Sequence, residues 1–264
     1  MTVLDPDYRR LLSACTALFL VGALMACASG RGALPTLGEK DADKFLFDRG
    51  TDALERRHWI EAREYFRRLV DTYPGSQFRR NAKLGVGDAY LGENRADSFI
   101  LAANEFREFL TFFPVDPRAD YAQYKLALAQ SRQVLGPQRD QTATHEALRE
   151  IETFMRNYPA SQLMPEGVKL EREIRDRLAE SELRVGVFYY RYRNYAGAIQ
   201  RLSGVMKSDP AYTRRDSVYF FLGETYYKVG KLADALPYYE KLVAEFAVSE
   251  HLEDAKKRIA EIKR

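Results

Sequence analysis

Residues 177–210, RLAESELRVGVFYYRYRNYAGAIQRLSGVMKSDP, carry the pattern of two antiparallel helices joined by a short turn. Counting from Gly186, Ala198 lies at +12, Leu202 at +16, Val205 at +19 and Pro210 at +24. A glycine in the first helix facing an alanine in the second lets two backbones approach closely, larger apolar residues fill the seam, and proline ends the second helix.

The same offsets recur. Gly50 leads to Ala62, Phe66, Leu69 and Pro74, and Gly223 leads to Ala235, Tyr239, Leu242 and Ala247, where only the final proline is missing. Two more copies keep the second-helix half: Ala102, Phe106, Phe109 and Pro114, then Ala147, Ile151, Phe154 and Pro159. These are tetratricopeptide-type repeats. Their key alanines are 40, 45, 51 and 37 residues apart, against about 34 for the plain repeat, so extra loop or longer helix lies between units. The spacing predicts an all-α superhelical array of five helix pairs plus a C-terminal capping helix.

The units fall near 43–76, 81–116, 117–161, 165–211 and 216–247, with the cap over 249–263. Unit two is expected to have a turn enlarged around Gly92 to Asp97, and unit three a longer one from Gly136 to Thr144. From Pro165 to about Asn194 the pattern predicts one unusually long helix opened by proline in its first turn. Leu252, Ala255, Ile259 and Ile262 form one stripe on the last helix, as a cap over the final unit requires. Trp59, three residues before the key alanine, reads as a packing residue, and so does the aromatic run Phe188, Tyr189, Tyr190, Tyr192 and Tyr195.

The chain opens differently. Leu11 to Met25 is an apolar run of 15 residues, shorter than the ~20 that span a bilayer but suited to a secretory signal. It ends in Leu24-Met25-Ala26-Cys27, which looks like a bacterial lipobox, with residues 1–26 removed and a diacylglyceryl group on Cys27; an ordinary signal peptide or short anchor is the alternative. One acyl chain holds a protein to a membrane only marginally, whereas two or three together hold it durably. Residues 27–43 then form a lipidated cysteine and tether that can span at most roughly 55 Å, and 44–264 form the repeat domain. Ala28 after Cys27 resembles the sorting signal of enterobacterial lipoproteins sent to the outer membrane, which places the chain there, lipid-anchored and facing the periplasm. Cys15 leaves with the signal and Cys27 is alkylated, so no thiol is left for a disulfide or zinc site.

Chemistry-bearing motifs are missing from the sequence. His58, His145 and His251 lie in different units with no H-E-x-x-H pattern, and there is neither a nucleophile elbow nor a phosphate-cradling loop. The reading is therefore no enzyme, no metal and no cofactor beyond the covalent lipid. With 41 basic and 38 acidic residues the net charge is only +3, which gives no electrostatic reason to expect nucleic acid. What is left is recognition by shape. First helices line the concave face of such arrays, and register places Lys44, Phe47, Thr51, Leu54, Leu84, Asp88 and Leu91 there, a mixed surface suited to an extended peptide.

The lipobox, the tether, the five units and the Arg139-Asp140-Gln141-Thr142 turn are joined by a more specific series. It runs Arg177-Leu178-Ala179-Glu180, Glu182, Phe188-Tyr189-Tyr190, Tyr195, Ala198-Ile199 and Arg201. Together they resemble the BamD family, also called the ComL type, of β-barrel assembly lipoproteins, over residues 27 to about 247. The resemblance implies that the N-terminal units offer a pocket to the C-terminal targeting strand of unfolded outer-membrane proteins. It also implies that the C-terminal units dock on the periplasmic domains of the barrel-bearing subunit, beside accessory lipoproteins. Arg201, with Glu180 and Glu182, is the candidate docking set. A lipoprotein scaffold for another envelope process, such as a pilotin or a cell-division coordinator, is the competing expectation.

Overall fold

The computed structural model describes residues 41–133, 136–137 and 139–264. Signal, Cys27 and most of the tether lie outside them. The chain divides into two units, Met1–Phe45 and Leu46–Arg264, and the second holds the repeat array. Among the described residues there are eleven helices and no strand. They are α1 (Ala42–Glu55), α2 (Trp59–Thr72), α3 (Arg79–Glu93), α4 (Ala96–Phe112), α5 (Ala119–Arg132), α6 (Thr142–Asn157), α7 (Met164–Arg191), α8 (Tyr195–Ser208), α9 (Arg215–Lys228), α10 (Leu232–Glu245) and α11 (Leu252–Ile262). From α2 onward each helix packs on the next, apart from weaker contacts of α7 with α5 and α9. The result is the all-α tetratricopeptide-type array that the spacing predicts.

The +16 residue sits directly on the glycine. A β-carbon on Gly186 would lie 2.6 Å from Leu202, one on Gly50 2.6 Å from the Phe66 ring and one on Gly223 2.7 Å from Tyr239. Ala62, Ala198 and Ala235 are fully buried, as are Phe106, Phe109, Ile151 and Phe154 in the two partial copies.

The turns between pairs are built alike. Tyr73, Phe113, Tyr158 and Asp209 end their helices with φ between −123° and −140° and ψ between 53° and 81°, outside the helical region that a following proline disfavours for its predecessor. Phe246 takes the same conformation, φ −129°, before Ala247. Proline therefore favours this turn without being required for it.

Unit two departs from expectation. Only Asn94 and Arg95 separate α3 from α4, and the added residues lengthen α4 to 17 residues instead of enlarging the turn. Asn94 ends α3 in the left-handed conformation, φ 54°, which Asn tolerates better than most residues. A reciprocal cap between Arg95 and Ser98 then starts α4. The longer connection in unit three stands, and its Arg139-Asp140-Gln141-Thr142 run opens α6: Asp140 accepts from the Thr142 amide at 3.1 Å and its hydroxyl at 2.8 Å.

The long helix runs 28 residues, from Met164 to Arg191, with Pro165 in its first turn. Of the aromatic run on it, Tyr190 packs between Tyr195 and Phe221 at 6.2 and 5.6 Å. Phe188 and Tyr192 correct the expectation. They are 52% and 73% exposed and contact each other at 4.4 Å, because i,i+4 spacing puts both on the outer face of α7. At the C-terminus Ala255 is buried, and Leu252, Ile259 and Ile262 pack against the Tyr219, Tyr239 and Leu242 cluster, so α11 covers the last pair.

Candidate functional site

The C-terminal ends of α1 and α3, the starts of α2 and α4 and the face of α5 from Tyr121 to Arg132 surround a cavity of about 410 Å³. Leu54, Leu91, Phe99 and Leu128 give apolar walls, and Trp59 closes one side. Its indole lies so close to Gly92 that a β-carbon there would be 2.7 Å away. Trp59 therefore packs, as expected, and also faces the cavity.

The polar part of the lining comes from two helices. Tyr121 and Lys125 stand one turn apart on α5, and both reach Asp88 on α3. The Tyr121 hydroxyl donates to both carboxylate oxygens at 2.8 Å, and the Lys125 ammonium lies 3.2 Å from one of them. Burial first, then the charge and hydrogen bond of Asp88, push the Tyr121 hydroxyl far above its usual range, so it stays a donor. Arg118 and Lys125 flank the Tyr121 ring at 5.1 and 5.0 Å. Arg132, exposed at the rim, has no hydrogen-bond or ion-pair partner among the described residues.

Of the seven groove residues expected from register, Leu54, Asp88 and Leu91 meet in this cavity. The others do not. Leu84 is fully buried, because the middle of α3 packs on α2 and α4 together and is enclosed from Leu84 to Gly87. Phe47 stacks on Phe78 at 5.0 Å. The Thr51 hydroxyl donates to the Phe47 carbonyl at 2.9 Å. Lys44 lies in the first turn of α1, within the Met1–Phe45 unit. Register missed Phe99 on α4, and Tyr121 and Lys125 on α5, of which the last two have as their sequence signal an i,i+4 donor pair on the following first helix.

The candidate docking residues fall into two places. Glu182 on α7 and Arg201 on α8 form a half-exposed ion pair at 3.0 Å. Glu180 points elsewhere, accepting from the Tyr212 hydroxyl at 2.7 Å, Arg184 at 2.7 Å and Arg214 at 3.1 Å. Burial alone would raise its pKa, but Tyr212, Arg184 and Arg214 outweigh it and hold the carboxyl below its usual range. A second, larger cavity of about 720 Å³ adjoins Glu180 and runs past Phe188 and Tyr192 to His251. No group of three or more potential metal ligands occurs among the described residues, and none of the described helices is long and apolar enough to cross a membrane.

Residues 39–235 match the YfiO family model, described as an outer membrane lipoprotein. A Caulobacter vibrioides protein, "Outer membrane protein assembly factor BamD", is 30% identical over 216 residues, 81% of this chain and 70% of that one. A protein of the same name from Haemophilus influenzae is 24% identical over 228 residues, 82% of this chain and 84% of that one.

Proposed function

The chain belongs to the YfiO family of outer membrane lipoproteins, and from that premise we propose that it is a non-enzymatic component of outer-membrane protein assembly, the role its BamD relatives carry in their names. Its N-terminal cavity takes the end of the C-terminal targeting strand of unfolded outer-membrane proteins. Its later helix pairs dock on the periplasmic domains of the barrel-bearing subunit, with accessory lipoproteins beside it. A lipid on Cys27 holds it to the periplasmic face of the outer membrane.

The observation that carries the peptide reading is the composition of the cavity. A volume of about 410 Å³ lies within the range of clefts that bury a small ligand and suits the last residues of a strand. Leu54, Leu91, Phe99 and Leu128 offer an apolar side chain its walls. Lys125 offsets the charge of Asp88, so an incoming carboxylate meets little repulsion. Arg132 at the rim supplies an uncommitted guanidinium for it.

Trp59 is the chain's single tryptophan and lines the cavity, so its emission reports occupancy. A peptide ending in phenylalanine with a free carboxylate is expected to change that emission saturably. Arg132→Ala should weaken binding roughly ten- to a hundredfold, the worth of a hydrogen bond to a charged group, and should leave binding of the C-terminally amidated peptide unchanged. Amidated and free peptides binding equally well, or a silent Trp59 during binding, would reject the cavity as the site.

A further inference from the structure

The cavity beside Trp59 is one end of a longer path. It shares Leu128 and Arg132 with a smaller cavity of about 180 Å³, whose far wall is Leu170, Ile174 and Arg177 of α7. Trp59 closes the opposite side, so the lining continues toward α7. Leu170, Ile174 and Arg177 begin a stripe that helical spacing extends to Arg184, Phe188 and Arg191, and those three line the cavity of about 720 Å³. The first helices α5, α7 and α9 thus carry three cavities along one strip. Within it, Ile174 and Phe188 stand fourteen residues apart on α7, roughly 21 Å along the helix.

The far cavity suits an aromatic ring. Buried Leu183, with Val187 and Phe221 packed on the same cluster, gives it an apolar floor. Phe188 and Tyr192 stand beside that floor half or more exposed, touching each other and leaving ring surface free for a third ring. Its arginines outnumber its acids, with Arg184, Arg191 and Arg214 against Glu180 and Glu250. Glu180 is taken up by Tyr212, Arg184 and Arg214, whereas Arg191 is exposed and has no hydrogen-bond or ion-pair partner among the described residues. This charge balance favours a neutral or acidic segment over a basic one.

We propose that a strand of an unfolded outer-membrane protein, seated by its end in the Trp59 cavity, runs along α7 and plants a second aromatic side chain against Phe188 and Tyr192. The inference rests on the peptide reading above and adds an upstream anchor to it. The span fixes where the anchoring residue stands. Roughly 21 Å along α7 is about six residues of extended chain. Crossing from Arg132 to Ile174 adds one or two, so the anchor lies about six to eight residues before the end. Barrel strands carry aromatic residues at both membrane interfaces, so strands with an aromatic residue near each end are the class this spacing selects. Glu182, paired with Arg201, points about 200° around α7 from the cavity-lining Glu180. A strand in the cavity therefore leaves that pair open to a partner.

The test measures anisotropy of dye-labelled peptides with the chain from Ala28 onward, which contains every described helix. The peptides share a free C-terminal phenylalanine and carry one tyrosine at successive upstream positions, with serine there in the reference. Affinity should rise about tenfold over the reference, as burial of part of a ring allows, when tyrosine stands about six to eight residues from the end. The gain should alternate with position, because alternate side chains of an extended chain share a face. Phe188→Ala combined with Tyr192→Ser should abolish the gain while leaving circular dichroism and binding of the reference peptide unchanged, since both rings are largely exposed. No gain at any position, an equal gain at all, or a gain that survives the double substitution overturns the proposal. So does a double variant that binds every peptide normally but loses the barrel-bearing subunit, because the cavity then serves that partner. Trp59 emission separates the two readings. A saturable Trp59 change without a tyrosine gain rejects the anchor alone, whereas a silent Trp59 with an intact, position-dependent gain rejects the terminal cavity alone.

Discussion

Replacing Glu224 with glutamine should release the C-terminal cap while leaving the rest of the array folded. The Glu224 side chain is 7% exposed and receives donors from three helices. Arg258 of α11 donates through Nε at 2.6 Å and Nη2 at 3.1 Å, the Tyr239 hydroxyl of α10 at 2.7 Å, and the Tyr190 hydroxyl of α7 at 3.3 Å. Glutamine keeps the shape, removes the charge and turns one oxygen into a donor facing other donors. Breaking a buried pair from one side costs about 3–5 kcal/mol. Arg258 is a quarter exposed and keeps Glu261 at 2.8 Å, so about 2 kcal/mol is the expected loss once solvent screening is allowed for. Since α11 packs mainly on α10, that loss should concentrate in the cap, and hydrogen exchange of the Leu252–Ile262 amides should accelerate about thirtyfold. Burial by itself raises the Glu224 pKa, but Arg258 and the tyrosine hydroxyls outweigh it and hold the carboxyl below its usual range. A carboxyl with a depressed folded pKa stabilises fully above its unfolded pKa and loses that contribution as pH falls through the folded value. The parent should therefore approach the exchange behaviour of Glu224→Gln only in acid, below the ordinary glutamate range. Unchanged exchange in α11, or acceleration spread evenly over the array, would refute the reasoning.

Gly186→Val should destabilise α7–α8 by about 1–3 kcal/mol, because its β-carbon meets Leu202 at 2.6 Å. Gly204→Ala, where nothing lies within 4 Å, should stabilise by about 0.5–1 kcal/mol; thermal melts shifting in the same direction for both would contradict the packing. Arg201→Glu removes a half-exposed pair worth about 0–1 kcal/mol, so helicity should hold while co-purification with the barrel-bearing subunit falls. Normal recovery of that subunit would clear Arg201 of a docking role.

The pair architecture was legible in the sequence because its determining contact is local. Gly186 touches Leu202 within one hairpin, and the same offset places Phe66 on Gly50 and Tyr239 on Gly223. Inserted residues were harder to place. The extra length of unit two joined α4 because Asn94 could end α3 in a two-residue turn, and nothing in a Gly-Glu-Asn-Arg run separates that outcome from a wider loop. Proline marked four between-pair turns, but Phe246 shows the turn forming without one. Ser249 caps the His251 amide at 3.1 Å and donates to Asp216 at 2.6 Å, as Ser161 does with the Leu163 amide and Asp120 in the turn that follows Pro159, so these side-chain bonds belong to the turn with or without proline.

The site was legible only where one helix sufficed. Leu54, Asp88 and Leu91 sit near the ends of first helices, where neighbouring helices leave room, whereas Leu84 shares the Asp88–Leu91 stripe but lies where helices enclose α3 on all sides. Register gives the stripe; it does not say how much of it the neighbours cover. Tyr121 and Lys125 lie 33 and 37 residues after Asp88, and no pattern within one repeat announces a contact between first helices of different units. The same geometry separates the acids of the Leu-Ala-Glu-x-Glu series. Successive helical residues turn by about 100°, so Glu180 and Glu182 point some 200° apart and cannot share a surface with Arg201. Glu182 takes Arg201, and Glu180 is left to fasten α7 to the turn before α9 through Tyr212 and Arg214. One short motif thus encodes an exposed pair open to a partner and a mostly buried joint between units, and only the first can be altered without loosening the array.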